Sequence, residues 1–225
     1  KPPIANVLRP LSGYPVKEYS DLTVQWSASD NIELESIEVY FSNNAGKSFA
    51  LKGTAPADST QLTFTIPMGA TDSALVKLVP IDIAGNKGEA LSHFFKVLDN
   101  TPPTVDLLTP QTGEALEIAS YSTITWDAQD NVGVHVIDML FSSDGGSSWG
   151  YITASEPNTG SYNWLVPNLP TDNLSLRLIG YDKRGLADTS DVVGLSIFIT
   201  YPKLVSVSPE PGLITWRDNV IEMGF

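Results

Sequence analysis

The sequence predicts an all-β protein made of two tandem β-sandwiches, followed by the start of a third β unit. Two observations predict this fold: an internal repeat of about 100 residues, and apolar side chains that alternate with polar ones at a period of two. The length of 225 residues suits two domains of about 100 residues each. A hydrophobic content of 42% is enough to form a core in each of them.

The repeat aligns the two halves of the chain with almost no gaps. Trp26 falls on Trp126, and Pro67 falls on Pro167, when the sequence is shifted by about 100 positions. The repeated unit is therefore one complete domain. The predicted boundaries are residues 1–98 for the first sandwich, residues 99–200 for the second, and residues 201–225 for an incomplete third unit or terminal strand.

The alternation within each copy predicts strands rather than helices. Leu22, Val24 and Trp26 alternate with polar residues, and Val76 and Leu78 flank an outward-facing lysine. About seven short strands per copy, separated by turn residues, indicate a sandwich. The last strand of each copy is expected near residues 91–98 and 192–199.

Composition excludes several classes of partner. A net charge of −13 and a pI near 4.4 argue against binding to nucleic acid or docking on anionic membranes. No apolar stretch reaches the roughly 18 residues of a membrane span, so no membrane insertion is expected within this segment. The chain has no cysteine, so the fold must be stable without disulfides. Both ends are expected to be boundaries within a longer protein.

Residues 142–149 match the Asp-box pattern S-x-D-x-G-x-S/T-W/F, and residues 42–49 match it with asparagine in place of aspartate. Such boxes occur in sialidase propellers, but here each occurs once per repeat, between two strands. The pattern therefore predicts a hairpin turn, in which the Asp or Asn side chain caps backbone amides. Trp149 and Trp164 are expected to be core residues rather than platforms for stacking on sugars.

A calcium site at the domain junction is one interpretation of the acidic loops. The loops after two strands of the second copy meet at one pole of a sandwich, where the preceding linker also enters. Calcium takes six to eight oxygen ligands, and the candidate residues are Asp99, Asn100, Asp130, Asn131 and Asp182. The alternative is that these side chains only cap turns. Two basic residues of the same loop, Lys183 and Arg184, oppose a cation.

Residues suited to catalysis are few. The chain has two histidines, His93 and His135, which do not correspond under the repeat and lie in no triad-like pattern. No phosphate-binding loop or zinc spacing is present. The sequence therefore predicts a protein that is not an enzyme and requires no cofactor, with Ca²⁺ as the one ion considered.

The chain resembles bacterial immunoglobulin-like and fibronectin III-like tandem repeats of large extracellular or cell-surface proteins. The matching segments are P-P-x-V at residues 102–105, the strand tryptophan, D-N-x-G-V at residues 130–134 and Y-D-x-x-G at residues 181–185. Residues 158–167 also resemble the immunoglobulin-like domain of fungal cell-wall-synthesis proteins. The resemblance implies two immunoglobulin/fibronectin III-like sandwiches in a bacterial secreted protein, located outside the cell or on its surface, with no transferable active site.

The function expected from this resemblance is a non-catalytic structural stalk or spacer of a secreted or surface-anchored, adhesin-like protein. Its partners would then be other domains of the same chain. Two alternatives stay open: a module that binds a glycan or protein receptor, and an accessory region of a secreted hydrolase.

Overall fold

The computed structural model describes residues 1–201 and, beyond them, the backbone of three short strands. The chain divides into two compact units. The first unit contains Lys1–Pro103 together with the two short segments Asp130–Gly133 and Asp182–Leu186. The second contains Thr104–Gln129, Val134–Tyr181 and Ala187–Phe225. In the part of the chain that is described, no helix is long and apolar enough to span a membrane.

The strands of the first unit form two sheets. They are β1 (Ile4–Arg9), β2 (Pro15–Lys17), β3 (Asp21–Ser29), β4 (Leu34–Ser42), β5 (Ala50–Pro56), β6 (Gln61–Thr65), β7 (Thr71–Asp82), β8 (Ala90–Leu91) and β9 (Phe95–Leu98). One sheet has the order β1-β3-β6, and the other has the order β2-β9-β7-β4-β5 with β8 beside β7. Strands β2 and β9 are parallel, whereas the other neighbours are antiparallel.

The second unit repeats this arrangement. Its strands are β10 (Thr104–Thr109), β11 (Ala115–Glu117), β12 (Tyr121–Gln129), β13 (Val134–Ser142), β14 (Gly150–Glu156), β15 (Ser161–Leu165), β16 (Thr171–Asp182) and β17 (Ala187–Phe198). The sheet orders are β10-β12-β15 and β11-β17-β16-β13-β14. The unit thus has one sheet of three strands and one of five, and many neighbouring strands are not consecutive in the sequence. This topology defines an immunoglobulin/fibronectin III-like sandwich. The predicted all-β sandwich fold is confirmed.

The predicted alternation places the core as expected. In β3, Leu22, Val24 and Trp26 are buried between exposed residues, and in β7 both Val76 and Leu78 are fully buried. Each such apolar side chain contributes about 1.5–3 kcal/mol when it leaves water. Phenylalanine rings fill the space between the two sheets of the first unit, with centroids 5.8 Å and 6.3 Å apart in the pairs Phe41–Phe64 and Phe41–Phe95. The second unit has its own core around Ile124, Trp126, Met139, Trp164 and Leu178.

The last strand of each copy differs from its prediction. The expected strand at 91–98 is divided into β8 and β9, because the Ser92 hydroxyl accepts the N–H of Val76 and replaces a regular ladder bond (2.9 Å). In the second copy β17 begins five residues earlier than expected, at Ala187, because its hairpin with β16 starts at the pair Tyr181 and Ala187.

The predicted third unit falls on residues 201–225, most of which lie outside the described residues. The backbone there forms β18 (Ser206–Val207), β19 (Thr215–Arg217) and β20 (Val220–Met223), in the sheet order β18-β20-β19. The domain boundaries after residues 98 and 200 stay predictions.

Candidate metal centre

Buried carboxylates are concentrated at one end of the first unit. The side chains of Glu18, Asp99 and Asp182 are only 0%, 5% and 3% exposed. A carboxylate removed from water is costly unless hydrogen bonds or a cation compensate for its lost hydration. The partners of each oxygen therefore determine what this cluster does.

Asp182 ends β16 and caps the turn that follows it. Its Oδ1 accepts the N–H of Arg184 and the N–H of Leu186, both at 2.8 Å. These two bonds explain why an aspartate occupies the first position of this tight turn. Gly185 of the same turn lies in the left-handed region, at φ 81°. The second oxygen, Oδ2, is buried and has no hydrogen-bond partner.

Asp130 follows β12 and caps its turn in the same way. Its Oδ2 accepts the N–H of Val132 at 2.7 Å and the N–H of Gly133 at 2.8 Å. The other oxygen, Oδ1, is buried and unpartnered. Turn capping thus uses one oxygen of each aspartate, Asp130 and Asp182, and leaves the other available.

Asp99 lies directly after β9 and next to these two side chains. Its Oδ1 accepts the N–H of Thr101 at 3.1 Å. The same carboxyl lies near the side chains of Asn131 and Asp182. Burial raises the pKa of Asp99, as do the charge of Asp130 and the facing Asp182 carboxyl, against hydrogen bonds from Thr101 and Asn131 that lower it.

Glu18, between β2 and β3, accepts four donors. Its Oε1 accepts the N–H of Gly69 (2.6 Å) and the side-chain amide of Asn131 (3.3 Å). Its Oε2 accepts the hydroxyl of Thr101 (2.8 Å) and the N–H of Asn100 (3.2 Å). Burial acts to raise the pKa of Glu18, but the hydrogen bonds from Gly69, Thr101 and Asn100 outweigh it, so the pKa is lowered.

The corresponding turn in the first copy has no such open oxygen. Asp82 is the counterpart of Asp182, and its Oδ1 accepts the N–H groups of Ala84 (2.9 Å) and Asn86 (2.8 Å). The side-chain amide of Asn86 also donates to Asp82 Oδ2 at 2.8 Å. In the second copy this asparagine is replaced by Leu186, which has no polar side-chain group. One substitution within the repeat therefore opens the second oxygen.

The structure brings most of the predicted residues together. Asp99, Asp130, Asn131 and Asp182 lie in one cluster, whereas Asn100 enters through its main-chain N–H to Glu18. Within residues 1–201, no three or more His, Cys, Asp or Glu side chains are arranged as a group that could hold a metal ion. Calcium binding at these residues stays a prediction.

Sequence analysis missed Glu18. Its counterpart is Ile118, which is half-buried and packs against the second core, and the counterpart of Asp99 is Ile199. The signal was present in the sequence as a departure from the repeat: an acid in one copy stands where the other copy has an apolar residue. The two basic residues of the Asp182 turn, Lys183 and Arg184, are both exposed.

The Asp-box of the second unit is a hairpin turn between β13 and β14, as predicted. Asp144 accepts the Ser142 hydroxyl (2.6 Å) and the Ser148 N–H (2.9 Å) on Oδ1, and the Ser148 hydroxyl (2.6 Å) on Oδ2. These bonds lower the pKa of Asp144 to about 2. Gly146 takes φ 93°, which requires glycine, and its N–H donates to Ser142. Both carboxylate oxygens are used by the turn itself.

The prediction that Trp149 is a core residue is wrong. Its side chain is only half-buried, and the Arg177 guanidinium lies 4.2 Å above its ring. Arg177 is held there by two bonds to Asp191, at 2.8 Å and 2.6 Å. The box places its aromatic on the outer face of the sheet, where a cation can cover it. Trp164 is 6% exposed and lies in the core, as predicted.

Neither histidine lies in a buried site. His93 and His135 are both exposed and belong to different units. The predicted absence of an enzyme activity stays a prediction.

Comparison with known proteins gives similarity to solved structures alone. No protein family matches the chain, and no curated protein matches it. Similar solved structures include the fibronectin(III)-like modules of Clostridium thermocellum CbhA, with 19% identity, a TM-score of 0.38, and coverage of 87% of this chain and 95% of that one. Domains IG1 and IG2 of DIP-gamma have 12% identity, a TM-score of 0.44 and coverage of 86% and 97%. Titin A168–A169 has 11% identity, a TM-score of 0.38 and coverage of 86% and 98%.

These similarities concern the fold alone. The strand orders of the two units define immunoglobulin/fibronectin III-like sandwiches. The resemblance found in the sequence is confirmed at this level.

Proposed function

We propose that the chain is a non-catalytic structural spacer of a secreted or surface-anchored, adhesin-like protein. The observation that carries this proposal is the anchoring of the linker, residues 99–103, to the buried Glu18 of the first unit. A spacer differs from a flexible tether because its connecting segments have a defined path.

Hydrogen bonds from two successive linker residues, Asn100 and Thr101, reach Glu18, and a third bond lies within the linker. Asn100 donates its N–H to Glu18, Thr101 donates both its hydroxyl to Glu18 and its N–H to Asp99, and Pro102 and Pro103 follow. Bonds to a charged acceptor contribute about 1.5–3 kcal/mol each, and prolines restrict φ. A Gly/Ser-rich tether has none of these restraints.

The surface supports the same proposal. The net charge of −13 keeps the chain soluble and disfavours association with other acidic surfaces. The two cores form without cysteine, so the fold needs no oxidation to become stable. The proposed partners are other domains of the same protein, and the proposed location is outside the cell or on its surface.

Backbone relaxation of the ¹⁵N-labelled protein tests the anchoring. We expect the amides of Asn100 and Thr101 to be as rigid as those of β7, with order parameters of about 0.85. Glu18→Gln should raise the mobility of the Asn100 and Thr101 amides, because the side-chain NH₂ of the new glutamine would face groups that are themselves hydrogen-bond donors. The matched control Glu35→Gln, at an exposed acid of the same unit, should leave them unchanged. Linker amides as mobile as the chain terminus in the wild type would contradict the proposal.

A glycan array and a pull-down with the same protein test the receptor-binding alternative. A spacer gives no reproducible ligand in either assay. A ligand that binds in both, and is lost on substitution of one loop or sheet face, would replace the spacer proposal with a binding function.

A further inference from the structure

We propose that each sandwich resists pulling at its ends through a ladder of hydrogen bonds between its first strands and its last strand. One carboxylate extends this ladder in each unit: Glu18 in the first and Asp188 in the second. The inference rests on the spacer function, because only a chain that connects two bodies is pulled from both ends. The observation that carries it is the direction of the terminal strands.

The terminal strands of each unit are parallel neighbours. In the first unit β2 pairs with β9, and in the second β11 pairs with β17. When the ends of the chain are pulled, the first strand of such a pair is drawn toward its start and the last toward its end. The two strands must then slide past each other along their length, so the bonds between them carry the load together. An antiparallel terminal pair would instead open one bond at a time.

The main-chain part of the ladder is the same in both copies. In each unit the last strand donates an N–H to the residue before the short parallel strand, and the residue after that strand donates back. The rungs, donor first, are Lys96–Tyr14 (2.9 Å) and Glu18–Leu98 (3.0 Å) in the first unit, and Ser196–Glu114 (3.1 Å) and Ile118–Phe198 (3.1 Å) in the second. The copies therefore differ in what the side chains add.

In the first unit the Glu18 side chain extends the ladder beyond the end of β9. Glu18 directly follows β2 and is 0% exposed. Its Oε2 accepts the N–H of Asn100 (3.2 Å) and the hydroxyl of Thr101 (2.8 Å). Because these linker residues follow β9, their bonds must break when β9 is drawn past β2. The counterpart Ile118 has no acceptor in its side chain.

In the second unit Asp188 extends the ladder at the opposite end. The N–H of Val105 donates to Asp188 Oδ2 (3.0 Å), and the N–H of Leu107 donates to the Ser190 hydroxyl (2.9 Å). The donors lie on β10, where the chain enters the unit, and the acceptors lie on β17. Both series advance in the same direction, so pulling at the ends shears these bonds as well. The corresponding residues of the first copy, which have no side-chain oxygen, are Gly88 and Ala90.

Constant-force stretching of the whole chain, held at its two ends, tests the inference. We expect two unfolding events, one for each unit. Glu18→Gln should make one event at least about tenfold faster and leave the other unchanged, since a hydrogen bond to a charged group is worth at least about that factor. Asp188→Ala should accelerate the other event instead. Thr101→Val removes one hydroxyl and keeps the side-chain shape, so it should reproduce part of the Glu18→Gln effect even if that variant does not fold.

The matched controls are Glu35→Gln and Asp172→Ala, at exposed acids of β4 and β16 outside the ladders, which should change neither rate. The direction of pulling separates the ladder from general stability. The chain has no cysteine, so Asp58→Cys supplies a single attachment point in the turn between β5 and β6. Pulling from there and from the C-terminal end no longer loads β2, and Glu18→Gln should then have a much smaller effect.

Three results would overturn the proposal. They are an equal effect of Glu18→Gln in both pulling directions, acceleration of the same event by Glu18→Gln and Asp188→Ala, and unchanged rates in both Glu18→Gln and Thr101→Val. Any of these, found together with rigid linker amides, would remove the ladder and leave the spacer function standing. Mobile linker amides would contradict the spacer function itself.

Discussion

Gly180 of β16 is the glycine, among those described in the second unit, whose added Cβ would make the closest contact. An ideal Cβ there would lie far inside van der Waals contact with Val105 Cγ2 of β10, and 3.3 Å from Ile137 Cδ1 of β13. Both neighbours are buried, at 4% and 0% exposure, and both are β-branched, so χ1 rotation offers little relief. Overpacking of this kind costs about 1–3 kcal/mol. We therefore expect Gly180→Ala to destabilise the second unit by about 2–3 kcal/mol, near the upper end of that range.

A double substitution tests whether the clash is the cause. Val105→Ala alone removes buried methyl groups worth about 0.8 kcal/mol each, plus the cost of a cavity, so we expect a loss of about 2 kcal/mol. In the double variant the new methyl group occupies part of that space. The loss of unfolding free energy in the double variant should therefore be about 1–2 kcal/mol smaller than the sum of the two single losses.

The assay is a urea titration followed by amide resonances of the second unit, because the two units need not unfold together. Gly150→Ala is the control, since its Cβ would meet Phe141 at an ordinary 3.5 Å and at a φ that alanine adopts. It should change the free energy of unfolding by less than about 1 kcal/mol. A Gly180→Ala variant as stable as this control, or strict additivity in the double variant, would refute the packing argument.

Three further predictions concern the second unit. Because the pKa of Asp144 is lowered from 3.8 to about 2, its stabilising contribution is complete above pH 3.8 and is lost as the pH falls through about 2. Asp144→Asn should remove this acid-dependent part of the unfolding free energy. A titration of the Asp144 carboxyl with its midpoint at the ordinary value would contradict the assignment. Asn158→Ala should destabilise the unit by about 1–3 kcal/mol in urea titrations, because the Trp126 Nε1 donates to Asn158 Oδ1 at 2.8 Å. Arg177→Ala should expose the Trp149 ring, with a red shift of its fluorescence and a loss of no more than about 1 kcal/mol; an unchanged emission spectrum would count against the stacking.

Much of the fold was predictable from local pattern. Alternation along β3 and β7 assigns their inward residues because successive side chains of a strand point to opposite faces. The repeat then transfers each assignment to the other copy, as with Trp26 and Trp126. Pattern alone misplaced Trp149, because an Asp-box fixes the turn but does not determine which face of the sheet receives the aromatic.

The acidic cluster was predictable only in part. Turn chemistry indicated Asp130 and Asp182, because Asp after a strand commonly caps the next amides. Glu18 was missed, since it is distant in sequence and its pairing with Asn100 and Thr101 depends on the path of the chain. Comparison of the copies at each position would have found it, since only one of them carries an acid there.

The anchoring of the linker also has a consequence for engineering and for evolution by duplication. The two copies are not interchangeable building blocks, because the first carries Glu18 where the second carries Ile118. An array assembled only from the second module would offer no acceptor to the donors that Asn100 and Thr101 supply. An array of the first module alone would carry Glu18 in every copy. A few residues at the ends of the modules therefore determine the order in which the modules can follow one another. Changing that order should lower stability even though every individual sandwich stays intact.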